Sequence, residues 1–456
     1  MGIANASSTT DRTRLRTLHA REVEQFVQSH PKSKALSQRA AASLLQGVPM
    51  NWMTKWAGPF PVFAAQACGA HFSCIDGHDY VDLCMGDTGA MSGHSPPAVA
   101  IAIAAQARRG ITLMFPSEDA VWVGEELQRR FGLRYWQFAL TATDANRFSV
   151  RIARQITHRP KILVFNYCYH GSVDETFATL VDGTVQPRSG NIGPPVHPSA
   201  TTRVVEFNDV AALERELNAG DVACVLTEPA LTNVGIVHPE PGFHAALRDL
   251  TRKHGTLLII DETHTICAGP GGYTAAHNLE PDMLTLGKPI GSGIPGAVYG
   301  FTEAIGERIV AQTKLEECDT GGIGGTLAGN VLSLAAMRAT LQHVLTDEAY
   351  ARMIPLAQAF TAGVEQAMRA SGLPWHVTRL GCRAEYLFTA QPPRNGDEAA
   401  RSADAELDRF MHLYALNRGI LLTPFHNMAL MCPATSAADI DLHTQVFREA
   451  VHELTA

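Results

Sequence analysis

The chain has little charge and no long apolar run, and these absences exclude several classes of protein. Only 18% of its 456 residues are charged. No apolar stretch reaches the roughly 18 residues that a membrane-spanning helix needs, so no membrane partner is expected. The formal net charge is -8, and lysine and arginine form no runs. Nothing here favours a nucleic acid or an anionic membrane surface as a partner.

The cysteines are scattered and show no pairing motif. There are 9 of them, an odd number, without a Cys-x-x-Cys pair. A disulfide framework is therefore not expected, and neither is a metal site. The polar start, residues 1–16, lacks the apolar centre of a signal peptide. Together these features predict a reducing, cytoplasmic location.

Near-continuous apolar runs alternate with helical segments through the middle of the chain. Such runs are typical of parallel strands buried on both faces, so they predict an α/β domain over residues 85–330. Residues 1–84 and 331–456 are predicted to form a smaller domain together. The strand candidates are 136–140, 161–165, 222–226, 256–260, 283–286 and 297–301.

Two polar residues stand just after two of these runs. Asp261 follows the run at 257–260, and Lys288 follows the run at 283–286 with glycine on both sides. A lysine can form a Schiff base with pyridoxal phosphate (PLP), and a carboxylate can keep the pyridine nitrogen protonated. A lone lysine at a strand end is usually only solvent-exposed, so the hypothesis depends on the surrounding motifs.

Several of these motifs have a second, ordinary explanation. The segment 141–146 lies between a strand and a helix, and it is either an anion site or a simple helix cap. Tyr169 can stack on a flat ring, and Gly171 permits close approach of the backbone, or both belong to a loop. Thr263 should point to the same side as Asp261. His264 is expected to be a packing or supporting residue.

A glycine-rich loop, 321–325, precedes Thr326 and a helical segment. It is a further candidate anion site or a flexible loop. It gives weak support to a nucleotide-dependent oxidoreductase, because no strand and βαβ unit precede it as the dinucleotide fingerprint requires.

Taken in order, these motifs resemble those of class III (subgroup II) aminotransferases. This is a PLP-dependent family of fold type I that includes amine transaminases and glutamate-1-semialdehyde aminomutase-like proteins. The resemblance implies a mostly parallel seven-stranded sheet flanked by helices, a smaller α+β domain from both termini, and a homodimer with a shared active site. The matching segments are 76–94, 141–145, 169–171, 228–229, 261–263, 281–293 and 325–330.

The resemblance also implies roles for individual residues. Lys288 would hold PLP and move the proton, and Asp261 would pair with the ring nitrogen. Tyr169 and Thr263 would cover the two ring faces, and Glu228 would order the phenolic side of the ring.

The phosphate of the cofactor would be bound from both subunits. Ala142 and Thr143 would hold it from their own subunit, and Thr326 of the partner subunit would reach it from the other side. Alanine stands at 142 where the family usually has glycine.

The substrate side is predicted to be apolar. Relatives that act on β-amino acids carry arginines in the segments that read 48–53 and 423–426 here, and neither segment contains one. Arg383 is the remaining candidate for binding a substrate carboxylate, or it forms a structural ion pair. The apolar candidates are Trp52, Met53, Met91 and Phe425, with Phe115 of the partner subunit.

The sequence thus predicts a PLP-dependent aminotransferase with two small-molecule substrates. It would move an amino group from a hydrophobic primary amine or amino acid to a keto acid such as pyruvate, by a ping-pong mechanism. An aminomutase, a racemase or a lyase on the same fold is the alternative, and a non-catalytic relative is a further one.

Overall fold

The helices and strands of the protein were taken from a computed structural model. It describes residues 10–456, apart from the side chain at position 319. The helices are α1 Arg12–Ser29, α2 Pro31–Ala40, α3 Pro97–Ala107, α4 Glu118–Phe131, α5 Ala142–Thr157, α6 Val210–Leu217, α7 Phe243–Lys253, α8 Gly272–Ala276, α9 Glu303–Gln312, α10 Cys318–Gly321, α11 Val331–His343, α12 Asp347–Ala370, α13 Gly396–Arg401, α14 Ala405–Leu416 and α15 Ala437–Thr455.

The strands form four sheets. They are β1 Ala64–Cys68, β2 His71–Cys74, β3 Asp79–Asp82, β4 Tyr135–Ala139, β5 Lys161–Phe165, β6 Ala178–Val181, β7 Thr184–Pro187, β8 Thr202–Val205, β9 Val222–Thr227, β10 Leu257–Asp261, β11 Met283–Leu286, β12 Ala297–Phe301, β13 His376–Leu380, β14 Arg383–Leu387, β15 Ile420–Leu421 and β16 Met428–Leu430.

The chain divides into two compact units. The first comprises residues 1–96, 348–392 and 402–456, and the second comprises 97–347 and 393–401. The boundaries predicted from sequence lie at 84 and 330, so α11 belongs to the second unit rather than to the small domain. Within the described residues, no helix has the length and apolar character that crossing a membrane requires.

The second unit is built on a seven-stranded sheet with the order β4-β12-β11-β10-β9-β5-β8. Only β12 runs antiparallel to its neighbours in this sheet. This confirms the predicted α/β fold with a mostly parallel sheet. A smaller hairpin of β6 and β7 belongs to the same unit.

Both faces of this sheet are buried. Along β5, Ile162 and Val164 belong to one apolar cluster, while Leu163 and Phe165 belong to another. Alternate residues of a strand point to opposite faces, so each face carries its own core. This explains why the strand reads as a continuous apolar run.

The first unit contains two small sheets and helices from both ends of the chain. One sheet has the order β1-β2-β3-β15, and the other has the order β13-β14-β16. Helix α15 begins with a capping box between Ser436 and Asp439, which satisfies backbone donors at its start.

Candidate active site

The candidate active site lies at the carboxyl ends of neighbouring strands in the second unit. Strands β10 and β11 are parallel, and Asp261 is registered with Thr285. Lys288 follows β11 after Gly287 and begins a short 3-10 turn, 288–291. The ligand crevices of open α/β sheets lie at this edge.

The carboxylate of Asp261 is buried and hydrogen-bonded on both oxygens. One oxygen accepts from Nδ1 of His170 at 2.9 Å and from Nδ2 of Asn146 at 2.7 Å. The other accepts from the backbone N–H of Thr263 at 3.0 Å. Asn146 is held in turn by the hydroxyl of Thr285 at 2.6 Å.

These contacts keep Asp261 ionised. Burial by itself would raise the pKa of Asp261, but the hydrogen bond and charge of His170 outweigh it and the pKa is lowered. Burial would likewise lower the pKa of His170, yet Cys168 and Asp261 together raise it. A buried carboxylate in this state suits a cationic partner.

Lys288 lies within hydrogen-bond reach of a histidine. Its Nζ is 2.9 Å from Nε2 of His264, which is 9% exposed. Next to this pair, Oγ1 of Thr263 accepts a hydrogen bond from the N–H of Gly287 at 3.3 Å. Lys288 has a φ of 47°, a left-handed conformation that glycine adopts more easily.

The start of α5 forms a compact corner with two glycines. A Cβ at Gly171 would lie 2.1 Å from Oγ1 of Thr143, and one at Gly287 would lie 2.8 Å from Cβ of Ala142. Side chains at either glycine would fill the space before the helix. The free N–H groups and dipole of a helix N-terminus favour an anion.

Tyr169 and Glu228 occupy the ends of β5 and β9. Tyr169 is 40% exposed, as a ring that stacks on a ligand would be. Glu228 is buried, and its Oε2 accepts a hydrogen bond from the hydroxyl of Thr232. With Asp261, Thr263, Lys288 and the start of α5, these residues follow five strands whose carboxyl ends meet at one edge.

Thr326 is exposed and lines a separate opening on the surface of the second unit. That cavity has a volume of about 570 Å³, and its other lining residues include Phe115, Phe138 and Leu334.

The residues predicted to line a substrate pocket lie in the first unit. Trp52 and Phe425 pack edge to face with ring centroids 6.2 Å apart, and both are partly exposed. Met53 is half-buried. Met91 and Arg383 are fully buried.

Arg383 is engaged within its own unit. Its guanidinium lies 3.3 Å from Glu385, which also accepts a hydrogen bond from His426 at 2.9 Å. This is the structural ion pair that was one of the two interpretations of Arg383.

Three residues that contact the site were not assigned to it from the sequence. His170 stands inside the Tyr169–Gly171 motif, where attention fell on the aromatic ring and the glycine. Asn146 lies just past the predicted anion segment and faces Asp261. His264 was expected only to pack or support, and it contacts Lys288.

Comparison with known proteins decides the family. A profile of class-III aminotransferases matches residues 52–451. The chain belongs to this family. The resemblance inferred from the motifs is thereby confirmed.

Relatives of this class-III aminotransferase include aminomutases and transaminases. It is 35% identical to a glutamate-1-semialdehyde 2,1-aminomutase of Sorangium cellulosum over 92% of the chain and 96% of the relative. A crystal structure of a glutamate-1-semialdehyde-aminomutase from Pseudomonas aeruginosa PAO1 is 52% identical, with a TM-score of 0.95, over 98% of this chain and 99% of that one. An omega-transaminase from Sphaerobacter thermophilus is 26% identical, with a TM-score of 0.83, over 93% and 98%.

These relatives correct one prediction. The leading interpretation, an aminotransferase that needs an amine donor and a keto-acid acceptor, is wrong, because the relatives at 35% and 52% identity are aminomutases. The aminomutase, given above as the alternative, is the better supported function. Primary-amine specificity and an acceptor such as pyruvate are withdrawn with the transaminase.

The cofactor of this class-III enzyme is PLP. A lysine-to-alanine variant of the Pseudomonas aeruginosa protein was crystallised in complex with PMP, the amine form of the cofactor. The residues present here fit that group: an ionised, buried carboxylate, a lysine amine, and a helix start left open by Gly171 and Gly287.

Proposed function

We propose that the protein is a PLP-dependent aminomutase that moves an amino group between neighbouring carbons of one small substrate. Glutamate-1-semialdehyde is the first candidate substrate. The observation that carries the proposal is the 52% identity to the Pseudomonas aeruginosa aminomutase over 98% of the chain. Substrate and product of such a reaction are isomers, so neither an oxidant nor a second substrate is needed.

In this proposal Lys288 is the catalytic residue. It binds the cofactor covalently, and its amine moves a proton when it is free. When bound, PLP supplies a carbonyl that takes up the amino group and a ring that withdraws electrons. The position of Lys288 beside the ionised Asp261, at the ends of adjacent strands, supports this role.

Asp261 pairs with the ring nitrogen of the cofactor, and the lowered pKa of its carboxylate supports that assignment. His170 and Asn146 orient the carboxylate by hydrogen bonds to one oxygen. Tyr169 and Thr263 cover the two ring faces, and Glu228 orders the phenolic side.

The phosphate of the cofactor is held at the start of α5 by Ala142 and Thr143. The tight approach of Gly171 to Thr143 supports this site, because it leaves the helix end open. Thr141 caps the helix by accepting from the N–H of Asp144, so other first-turn donors are left for an anion.

We also propose a homodimer in which Thr326 of the partner subunit contributes to the phosphate site. Met114 and Phe115 are 75% and 78% exposed, which is unusual for large apolar side chains, and Leu327 beside Thr326 is 51% exposed. Covering them would bury apolar surface. Sedimentation of the parent protein and of Phe115→Asp tests the dimer, and a parent monomer would contradict it.

On the substrate side, Trp52, Met53 and Phe425 remain candidates for contacts with the substrate, and Met91 for support behind them. The buried ion pair of Arg383 with Glu385 favours a structural role for this arginine. A cytoplasmic location remains a prediction.

The decisive experiment gives the purified protein glutamate-1-semialdehyde without any keto acid. Transfer of the amino group from carbon 2 to carbon 1 produces 5-amino-4-oxopentanoate, which is measured over time. Lys288→Ala serves as the inactive control. Absence of this product from enzyme that carries its cofactor would contradict glutamate-1-semialdehyde as the substrate, and a requirement for a keto acid would contradict the aminomutase.

A further inference from the structure

Lys288 and His264 face each other across the ends of two neighbouring strands. Nε2 of His264 lies 2.9 Å from Nζ of Lys288. Both residues stand three positions beyond the registered pair Asp261 and Thr285, because 264 − 261 = 3 and 288 − 285 = 3. The contact therefore continues the parallel pairing of β10 and β11 past the point where the strands end.

The backbone on both sides of this contact is held in place. Oγ1 of Thr263 accepts a hydrogen bond from the N–H of Gly287, which ties the two turns together. Lys288 has a φ of 47°. A residue other than glycine keeps such a conformation only where its surroundings hold it. His264 is buried, so its ring is packed beside the amine rather than placed in solvent.

The protonation states follow from the donors available. A lysine ammonium carries donors only, so Nε2 of His264 has to be the acceptor. The imidazole is then neutral, with its proton on Nδ1. A long, flexible lysine side chain loses rotamer freedom when its end is fixed, and this hydrogen bond stabilises one position of the amine.

We propose that His264 is a positioning residue for Lys288. Whenever Nζ is not bonded to the cofactor, Nε2 of His264 accepts a hydrogen bond from it and fixes where the amine stands. The inference rests on the proposed function, in which Lys288 moves a proton between two carbons of one substrate. A single amine that serves two neighbouring carbons has to act from a defined place.

The test compares His264→Leu, which has no acceptor, with His264→Gln, which keeps one at similar reach. Each full-length protein is freed of cofactor, and acylation of Lys288 by acetic anhydride is measured by competitive labelling and peptide mapping. Loss of the acceptor disfavours the unreactive ammonium form. We therefore expect labelling of Lys288 about three- to tenfold faster in the leucine variant, and within about twofold of the parent in the glutamine variant.

His343→Leu is the matched control, since His343 is an exposed histidine of the same unit and should leave the labelling unchanged. Cofactor added back must restore the absorbance of each variant, which shows that the variant is folded. If the leucine variant does not recover, His264→Phe takes its place. Equal labelling in all proteins, or acceleration in the glutamine variant as well, would overturn the inference.

The labelling and the product assay separate the two proposals. A labelling difference without 5-amino-4-oxopentanoate leaves the role of His264 standing and removes the proposed substrate. Formation of that product without a labelling difference removes the role of His264 and leaves the aminomutase.

Discussion

Each unit of the protein contains a buried carboxylate with a charged partner, and the two differ in what surrounds them. Asp261 is held by His170 and Asn146, and Glu385 is held by Arg383 and His426. Burial would raise both carboxylate pKa values, and the neighbouring groups lower both. The electrostatics of the two clusters are therefore alike.

Their positions in the fold are not alike. Asp261 ends a parallel strand, beside a lysine and a helix start that glycines leave open. Glu385 lies within β14, between the strands of a three-stranded sheet, and Arg383 stands two residues away on the same strand. A buried charge becomes a candidate for chemistry when it lies at an open strand end, and inside a sheet it supports packing.

The largest expected effect separates the lysine from everything else. Lys288→Ala should lower turnover at least about 1000-fold, because it removes both the covalent link and the proton carrier. Borohydride reduction and peptide mapping should find the pyridoxyl group on Lys288 in the parent protein only. An adduct on another lysine of the parent would contradict the assigned site.

The next effect tests the first carboxylate. Asp261→Asn keeps the shape but loses the negative charge that pairs with the ring nitrogen. Turnover should fall about 100-fold or more, the size typical of losing one electrostatic partner in an active site. Steady-state kinetics and the absorbance of the bound cofactor measure it. Nearly normal turnover would show that Asp261 and Glu385 do not differ in the proposed way.

The same exchange at the second carboxylate should act on stability instead. Glu385→Gln leaves Arg383 buried without its ionic partner, which costs about 3 kcal/mol or more in free energy of unfolding. Urea denaturation measures this loss. Protein that stays folded should bind the cofactor with the absorbance of the parent, and a changed absorbance would assign Glu385 to the active site.

The smallest effect concerns pH and a third carboxylate, in the first unit. Burial raises the pKa of Asp408 to about 6, although its hydrogen bond from Asn427 acts in the other direction. A raised pKa means stability that is present below the unfolded value near 4 and is lost as the pH rises through about 6. Asp408→Asn should flatten the thermal midpoint across this range, and an unchanged slope would contradict the shift.

The prediction of the fold succeeded where the signal was local. Strands β5, β11 and β12 have the predicted bounds, because strands buried on both faces read as apolar runs. The unit boundaries were harder to predict, because α11 packs in the second unit and a helical pattern does not reveal which unit a helix joins. The function was mistaken because transaminases and aminomutases of this family share the cofactor residues and differ in substrate handling.

The sequence by itself determined the strands of the main sheet and the polar residues that end them, since burial and period are written in neighbouring positions. Only the tertiary structure decided which groups meet there. His170 and Asn146 reach Asp261 from 91 and 115 residues away, and His264 meets Lys288 because two strands pair in one register. Contacts over such separations depend on strand register and packing, which no local pattern of residues specifies.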